Sequence, residues 1–528
     1  MLRLTRPLAA PARVRTALLR RVFCTNSTVE STISIDASRL RRNVPHNHDH
    51  APATGLLREL QSRIRFQGPI TVAEYMTAAL THPVHGYYMK RDVFGRKGDF
   101  ITSPEISQVF GDLIGVWCVS CWEQLGKPAR VRLVECGPGR GTLMADVLRA
   151  SAVFPSFHRA LSVHLLEVSP HLRGVQRRTL ARTPDGGEEP TPTKTTAAEE
   201  PPLTWMPPQP EAAAHSSGVS VEWLSQLEDL PDDAPVLVLA HEFLDALPVH
   251  QLSRTQHGWR ERLVELKEHV AAPGTPAATA EGAAEGAAEG GGAASEAATG
   301  AATAVGTSGG TADTPREAGE AGEAGEARRL EFVVAATRTP AAALYAEALD
   351  RHGEAEQRQL LHAEVCPGAQ RFAALVARRL AASGGAALLI DYGQDGPPAD
   401  SLRGIIDHKF VDPLLAPGEA DLSVDVDFDA VRRAALAEAP SLRVPPLQLQ
   451  RDFLAAMGLE QRVNALLRRT DDAEQRRDLI SSAGRLVETP GMGAAYKALA
   501  LAHPRPAGHA VGSTPMDHIA GFPPMASS

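Results

Sequence analysis

Three groups of residues carry types and spacings from which chemistry could be built. Gly137, Gly139 and Gly141 alternate with other residues just after Glu135, in the run Val-Arg-Leu-Val-Glu-Cys-Gly-Pro-Gly-Arg-Gly-Thr over residues 131–142. Glycine admits backbone conformations closed to other residues, and it lets a ligand approach the main chain closely. A helix starting near Thr142 adds free N–H donors, so the stretch reads as a cradle for a nucleotide-like ligand. Glu167 follows a second apolar run, where a carboxylate can accept hydrogen bonds from ribose hydroxyls. Glu242 and Asp245 stand three apart after a third run. Paired carboxylates can hold a planar cation flat through charge-assisted hydrogen bonds.

The elements that must position these groups are short and apolar. Residues 131–134, 163–166, 236–239 and 387–390 read as central strands, each apolar enough for burial on both faces. Helix-like segments separate them, which predicts an α/β fold with a parallel sheet and one crevice at the strands' carboxyl ends. Glu135, Glu167, His241-Glu242 and Asp391-Tyr392-Gly393 would all face that crevice. Glu242 and Asp245 are expected to share one helical face pointing into it. The glycine spacing differs from Gly-x-Gly-x-x-Gly, which suits a pyrophosphate. An ordinary tight strand-to-helix turn is the simpler reading of the glycines, and the carboxylate at Glu167 favours the ligand site over it. Glu167 lies 30 positions after Gly137, which requires an unusually long first crossover. His241 and His250 read as proton acceptors or as satisfied structural residues. Asp391 and Tyr392 could line the pocket, and His408 could approach a substrate.

With 43% hydrophobic and 22% charged residues, the composition is that of a soluble globular protein. A net charge of -9 gives no basis for general nucleic-acid binding, and no apolar run has the length of a membrane span. No metal site is expected. Cys118 and Cys121 have CxxC spacing, but they sit in the apolar stretch 113–122, where small thiols pack as core residues.

The chain divides by composition. Residues 1–26 hold Arg3, Arg6, Arg13, Arg15, Arg20 and Arg21 and no acidic residue, as a mitochondrial transit peptide does. Residues 27–54 form a linker. Residues 55–128 read as an N-terminal helical region with a lid rich in aromatic, glycine and hydroxyl residues; Thr71 with Glu74 is a capping-box pair, and Thr102 and Ser103 lie in the lid. The core spans 129–427. It carries two low-complexity insertions, 183–218 and 271–327, too small-sided to bury a core and expected to be disordered. The alternating runs 260–266 and 330–335 could pair as a hairpin with the second insertion at its tip. A C-terminal helical region, 428–502, and a disordered tail, 503–528, complete the expectation.

Taken together, the glycine motif, the stretch His241-Glu242-Phe243-Leu244-Asp245-Ala246-Leu247-Pro248-Val249-His250 and the loop after Asp391 resemble the MidA family. These are mitochondrial protein arginine methyltransferases that act as respiratory complex I assembly factors. The resemblance runs from about Gly55 to Leu501 and includes 98–105, 451–459, and Met492-Gly493 with Lys497. Leu244 and Ala494 depart from it without removing a charged candidate. It implies a Rossmann-like class I methyltransferase core with helical additions and S-adenosyl-L-methionine as donor. It also implies type II, symmetric dimethylation of an arginine on the 49-kilodalton matrix-arm subunit of complex I, in the mitochondrial matrix. In this reading Gly137, Gly139, Gly141, Glu167, Thr102 and Ser103 bind the donor. Glu242 and Asp245 hold the acceptor. A homodimer stays open beside a monomer. The alternatives are a non-catalytic complex I assembly chaperone on the same fold and a nicotinamide-dependent dehydrogenase, which the glycine spacing disfavours.

Overall fold

Runs of β-branched and leucine residues bounded by glycine, proline and charged residues form a single strand layer, because each run can bury both faces. These are β1 (Val131–Cys136), β2 (Leu161–Leu166), β3 (Ser220–Leu224), β4 (Val236–His241), β5 (Gly385–Gln394) and β6 (Tyr496–His503). The computed structural model describes residues 54–90, 102–181, 211–215, 218–267, 329–350, 360–504, 516 and 518–525. The expected transit peptide, most of the linker and both low-complexity insertions, apart from 211–215 and Gly218, lie outside the described residues, as does 91–101 of the lid.

The sheet order is β6-β5-β4-β1-β2-β3, with Gln448–Leu449 beside β6 and Glu211–Ala214 beside β3. Strands β5, β4, β1, β2 and β3 are mutually parallel, whereas β6 runs antiparallel to β5. The chain leaves β1 toward β2 on one side and reaches β4 on the other. The order therefore reverses between β1 and β4, the switch point at which open sheets of this kind bind ligands.

Helices cover both faces. On one side α1 (Gln108–Gln124) and α2 (Thr142–Ser151) bring Phe110, Trp117, Met144 and Val147 against Leu133, Val163 and Leu237. Cys118 and Cys121 are buried in α1 as core thiols. On the other side α3 (Pro367–Ser383) and the helix Phe428–Glu438 bring Phe372, Val376, Leu380 and Val431 against Val134, Val238 and Leu389. A second sheet joins Ile70–Thr71, His250–Thr255, Gly258–Leu266, Leu330–Val334 and His362–Val365. Leu266 pairs with Leu330, so the hairpin expected around the second insertion is present. The helices Gly55–Gln67 and Val72–Thr81 also form, and Thr71 and Glu74 make the expected capping box.

Three stretches differ from the sequence expectation. Residues 496–503, inside the region expected to be helical, are strand β6, because alternating alanines and leucines bury equally well in a sheet. Glu211–Ala214, at the end of the first expected insertion, pairs with β3. In the expected disordered tail, Met516, Ile519 and Phe522 are buried in the core, and Phe522 packs against Phe453 at 5.4 Å.

Candidate functional site

The glycine turn after β1 is built as its sequence demands. Gly137, Gly139 and Gly141 have φ of 63°, 52° and 82°, the left-handed region that other residues enter only at a cost. Gly141 then serves as the N-cap of α2. A Cβ on Gly137 would lie 2.9 Å from Cδ2 of Phe243, so the turn after β1 and the turn after β4 are in contact. Below the glycines, Glu135 is buried. Burial raises its pKa to about 8, the Met144 amide opposes this, and its Oε2 has no hydrogen-bond partner.

Glu167 sits where the parallel sheet puts it, at the end of β2. Oε1 accepts from the Ser169 amide at 2.8 Å and Oε2 from Nε2 of Gln176 at 3.0 Å. The same Gln176 Nε2 donates to the Gly139 carbonyl at 2.8 Å, and Trp223 Nε1 holds its Oε1. One side chain thus ties the glycine turn to the carboxylate. Burial raises Glu167 to about 7 against these donors.

Glu242 and Asp245 follow β4, but not on the helix expected from their spacing. Residues 242–245 form a turn, and Glu242 itself has φ of 50°. The cause lies across the sheet. Oδ2 of Asp391, from β5, accepts from the amides of Phe243, Leu244 and Asp245 at 3.1, 2.9 and 3.3 Å. Its Oδ1 accepts from the Tyr392 amide at 2.9 Å. The three amides that would open a helix are gathered onto one carboxylate, and the two acidic side chains diverge. Glu242 Oε1 accepts from the Tyr496 hydroxyl at 2.7 Å, whereas Asp245 Oδ2 accepts from the Ser423 hydroxyl at 3.0 Å.

The electrostatics are those of a crowded, buried acidic cluster. Burial raises Glu242 to about 8, with Asp245 and Glu105 adding to it and the Tyr496 hydroxyl and Ser103 amide opposing it. Asp245 is raised to about 6 by burial, with Arg403 opposing. Burial, Asp245 and Glu242 push Asp391 above the ordinary carboxylate range. Four amide donors favour its charged form, so the proton the cluster retains belongs on Glu242.

The remaining candidates fall as follows. Ser103 opens the short helix Ser103–Ile106, is fully buried, and gives its amide to Glu242; its hydroxyl has no partner. Thr102 is its N-cap residue, without a side-chain capping hydrogen bond. Both therefore lie on the Glu242 side of the crevice. The His241 ring is packed between Phe110 and Tyr496, and burial depresses it to about 3, so it is neutral. His250 bonds Glu261 at 2.5 Å in the second sheet. His408 is at the tip of the hairpin joining Arg403–Ile406 to Lys409–Val411.

Sequence reasoning missed several contributors. Tyr496 comes from β6. Arg403 reaches Asp425 at 2.7 Å and lies over the Tyr392 ring at 5.1 Å. In the lid, Tyr88 donates to Asp421 at 2.8 Å and its carbonyl accepts from the Ser169 hydroxyl at 2.8 Å. The segment Tyr87–Lys90 thereby links Ser169, beside Glu167, to Asp421. The local signal for it was the Tyr87-Tyr88 pair; for Tyr496 and Arg403 there was none.

The sequence pattern of a family described as S-adenosyl-L-methionine-dependent methyltransferase matches residues 113–444. The chain is 36% identical to the mitochondrial protein arginine methyltransferase NDUFAF7 of Homo sapiens over 452 residues, covering 85% of this chain and 84% of that protein. It is 35% identical to the NDUFAF7 homolog of Drosophila melanogaster over 447 residues, 84% of each. A Burkholderia thailandensis protein crystallised with S-adenosyl-homocysteine shares the fold, with a TM-score of 0.57 at 21% identity, over 86% of this chain and 95% of that one.

Proposed function

Since this chain belongs to the family of S-adenosyl-L-methionine-dependent methyltransferases that includes the NDUFAF7 proteins, we propose that it methylates an arginine side chain of a protein. The observation that carries the acceptor class is the acidic cluster beside the glycine turn. Glu242, Asp245 and Asp391 gather at the ends of β4 and β5, next to the switch point and flanked by Tyr392 and Tyr496. A guanidinium is always charged and needs carboxylates to hold its plane. The relatives' names support the same acceptor and a mitochondrial destination. The basic leader and the resemblance support the finer reading: the matrix, symmetric dimethylation, the 49-kilodalton subunit of complex I, and a role in that complex's assembly.

The donor's fit rests on the bare left-handed glycine turn and on the buried Glu167 carboxylate tied to it through Gln176. Gly137, Gly139, Gly141 and Glu167 would hold the donor, with Thr102 and Ser103 bounding the crevice from the Glu242 side. When bound, it supplies an already activated methyl group. The chain's own work is then to position the nucleophile and exclude water. Glu242 binds the guanidinium, and the arriving cation favours the carboxylate's charged form. The same carboxylate is placed to take the proton that a guanidinium nitrogen gives up on methylation. Asp245 adds the second acceptor.

The test is Glu242→Gln in the full chain. Titration calorimetry should give donor affinity within about threefold of the parent. Methyl transfer to the 49-kilodalton subunit should fall by at least about a hundredfold, as expected when one member of a buried charge pair is removed. A folded variant that transfers methyl normally would take Glu242 out of the acceptor site. A parent chain with no donor binding would turn the reading toward the non-catalytic chaperone.

A further inference from the structure

The Glu242 carboxylate is supported by groups from two elements, β6 and the helix Ser103–Ile106, and the donor on β6 is the more constrained. Tyr496 is the first residue of β6 and is about 1% exposed. It is the register partner of Tyr392 on β5, with ring centroids 4.1 Å apart. It also lies parallel to the His241 ring of β4, at an interplanar angle of 2° and 6.1 Å between centroids. His241 in turn packs on Phe110 of α1 at 4.9 Å. Strand register, burial and these ring contacts restrain the ring and direct its hydroxyl to one point. That point is Oε1 of Glu242, 2.7 Å away.

The geometry points to Tyr496 as a positioning residue for the acceptor carboxylate: its hydroxyl occupies one lone pair of Glu242 Oε1 and fixes which carboxylate edge the guanidinium meets. This rests on the reading of Glu242 given above. Two features argue against a merely structural bond. Glu242 sits at φ of 50°, a backbone state that costs free energy and persists only where surrounding contacts impose it. And the remaining support, the Ser103 amide, comes from the lid side, so the hydroxyl is the donor that belongs to the rigid sheet.

The groups facing Glu242 are the Tyr496 hydroxyl from β6, Asp391 and Tyr392 from β5, Asp245 from its own turn, the Ser103 amide and Glu105 from the lid helix, and His241 beside it. His241 is neutral and the carboxylates repel charge, so the two hydrogen-bond donors are what favour ionisation. Removing the hydroxyl must therefore make Glu242 harder to ionise, and strengthening it must do the reverse.

Tyr496→Phe keeps the ring stack and deletes the donor. In the full-length protein, infrared titration of the Glu242 carboxyl band, assigned by difference against Glu242→Gln, should show protonation persisting to higher pH than in the parent. With the 49-kilodalton subunit as acceptor, kcat should fall about tenfold, the size of one hydrogen bond to a charged group, with donor affinity unchanged. The acidic limb of kcat/KM should move to higher pH. Fluorotyrosine at position 496, a stronger donor of the same shape, should move both the titration and the limb to lower pH. Carboxyl titration unmoved in both variants would overturn the inference. A fully active Glu242→Gln would instead overturn the acceptor-site reading beneath it.

Discussion

Replacing Asp391 by asparagine should unmake the turn that carries Glu242, although the two side chains have nearly the same shape. Asp391 is buried and receives four backbone N–H groups: three on Oδ2, from Phe243, Leu244 and Asp245, and Tyr392 on Oδ1. Asparagine has one carbonyl oxygen. If that oxygen faces the three amides, its NH2 faces the Tyr392 amide; if it is turned round, three amides lose their acceptor. The milder outcome forfeits one bond to a charged acceptor, worth about 1.5–3 kcal/mol, and leaves a buried donor unpaired at about 1–3 kcal/mol. The variant should then be roughly 3–5 kcal/mol less stable, partly offset by relief of the repulsion from Asp245 and Glu242. Thermal unfolding should show a fall of several degrees. Just below the transition, methyl transfer should be lost much more than donor binding, because the donor turn and Glu167 follow β1 and β2, whereas the acceptor turn after β4 is held by Asp391 of β5. A variant within about 1 kcal/mol of the parent, with unchanged transfer, would mean that Asp391 is a protonated acid, which an amide mimics well. The charge assignment in the acidic cluster would then be refuted.

Two further outcomes follow from the donor side. Gly137→Ala puts a methyl 2.9 Å from the Phe243 ring on a residue at φ of 63°. It should cost about 1–3 kcal/mol of stability and weaken donor binding at least about tenfold in calorimetry, since the backbone must leave the left-handed region or Phe243 must move. Glu135 gives a pH dependence. Its folded-state pKa is raised from 4.5 to about 8, so its stabilising contribution is fully present below about 4.5 and is lost as pH rises through about 8. Glu135→Gln should remove part of the fall in unfolding free energy across that window, up to about a few kcal/mol at its upper end; an unchanged slope would show that Met144 and its surroundings keep Glu135 ionised.

What the sequence made legible is what each residue's own strand decides. The runs at 131–134, 163–166, 236–239 and 387–390 become β1, β2, β4 and β5, because burial on both faces writes an apolar run into the chain. The glycine turn and Glu167 follow directly, since both sit at the end of a strand that could be read. The illegible parts are set by partners far away in sequence. The spacing of Glu242 and Asp245 suggests a shared helical face, and nothing local reveals that a carboxylate 146 positions later will gather the amides of that helix into a turn. Tyr496 has no motif around it, and the alternating alanines and leucines after it serve a helix or a strand equally well. Only the antiparallel register of β6 on β5 brings Tyr496 opposite Tyr392 and its hydroxyl to Glu242. The donor half of the site is thus encoded at the ends of strands that can each be read by itself, whereas the acceptor half exists only once β4, β5 and β6 have paired. Lesions in β6 should accordingly spare donor binding and abolish transfer, a separation that no single segment of this sequence announces.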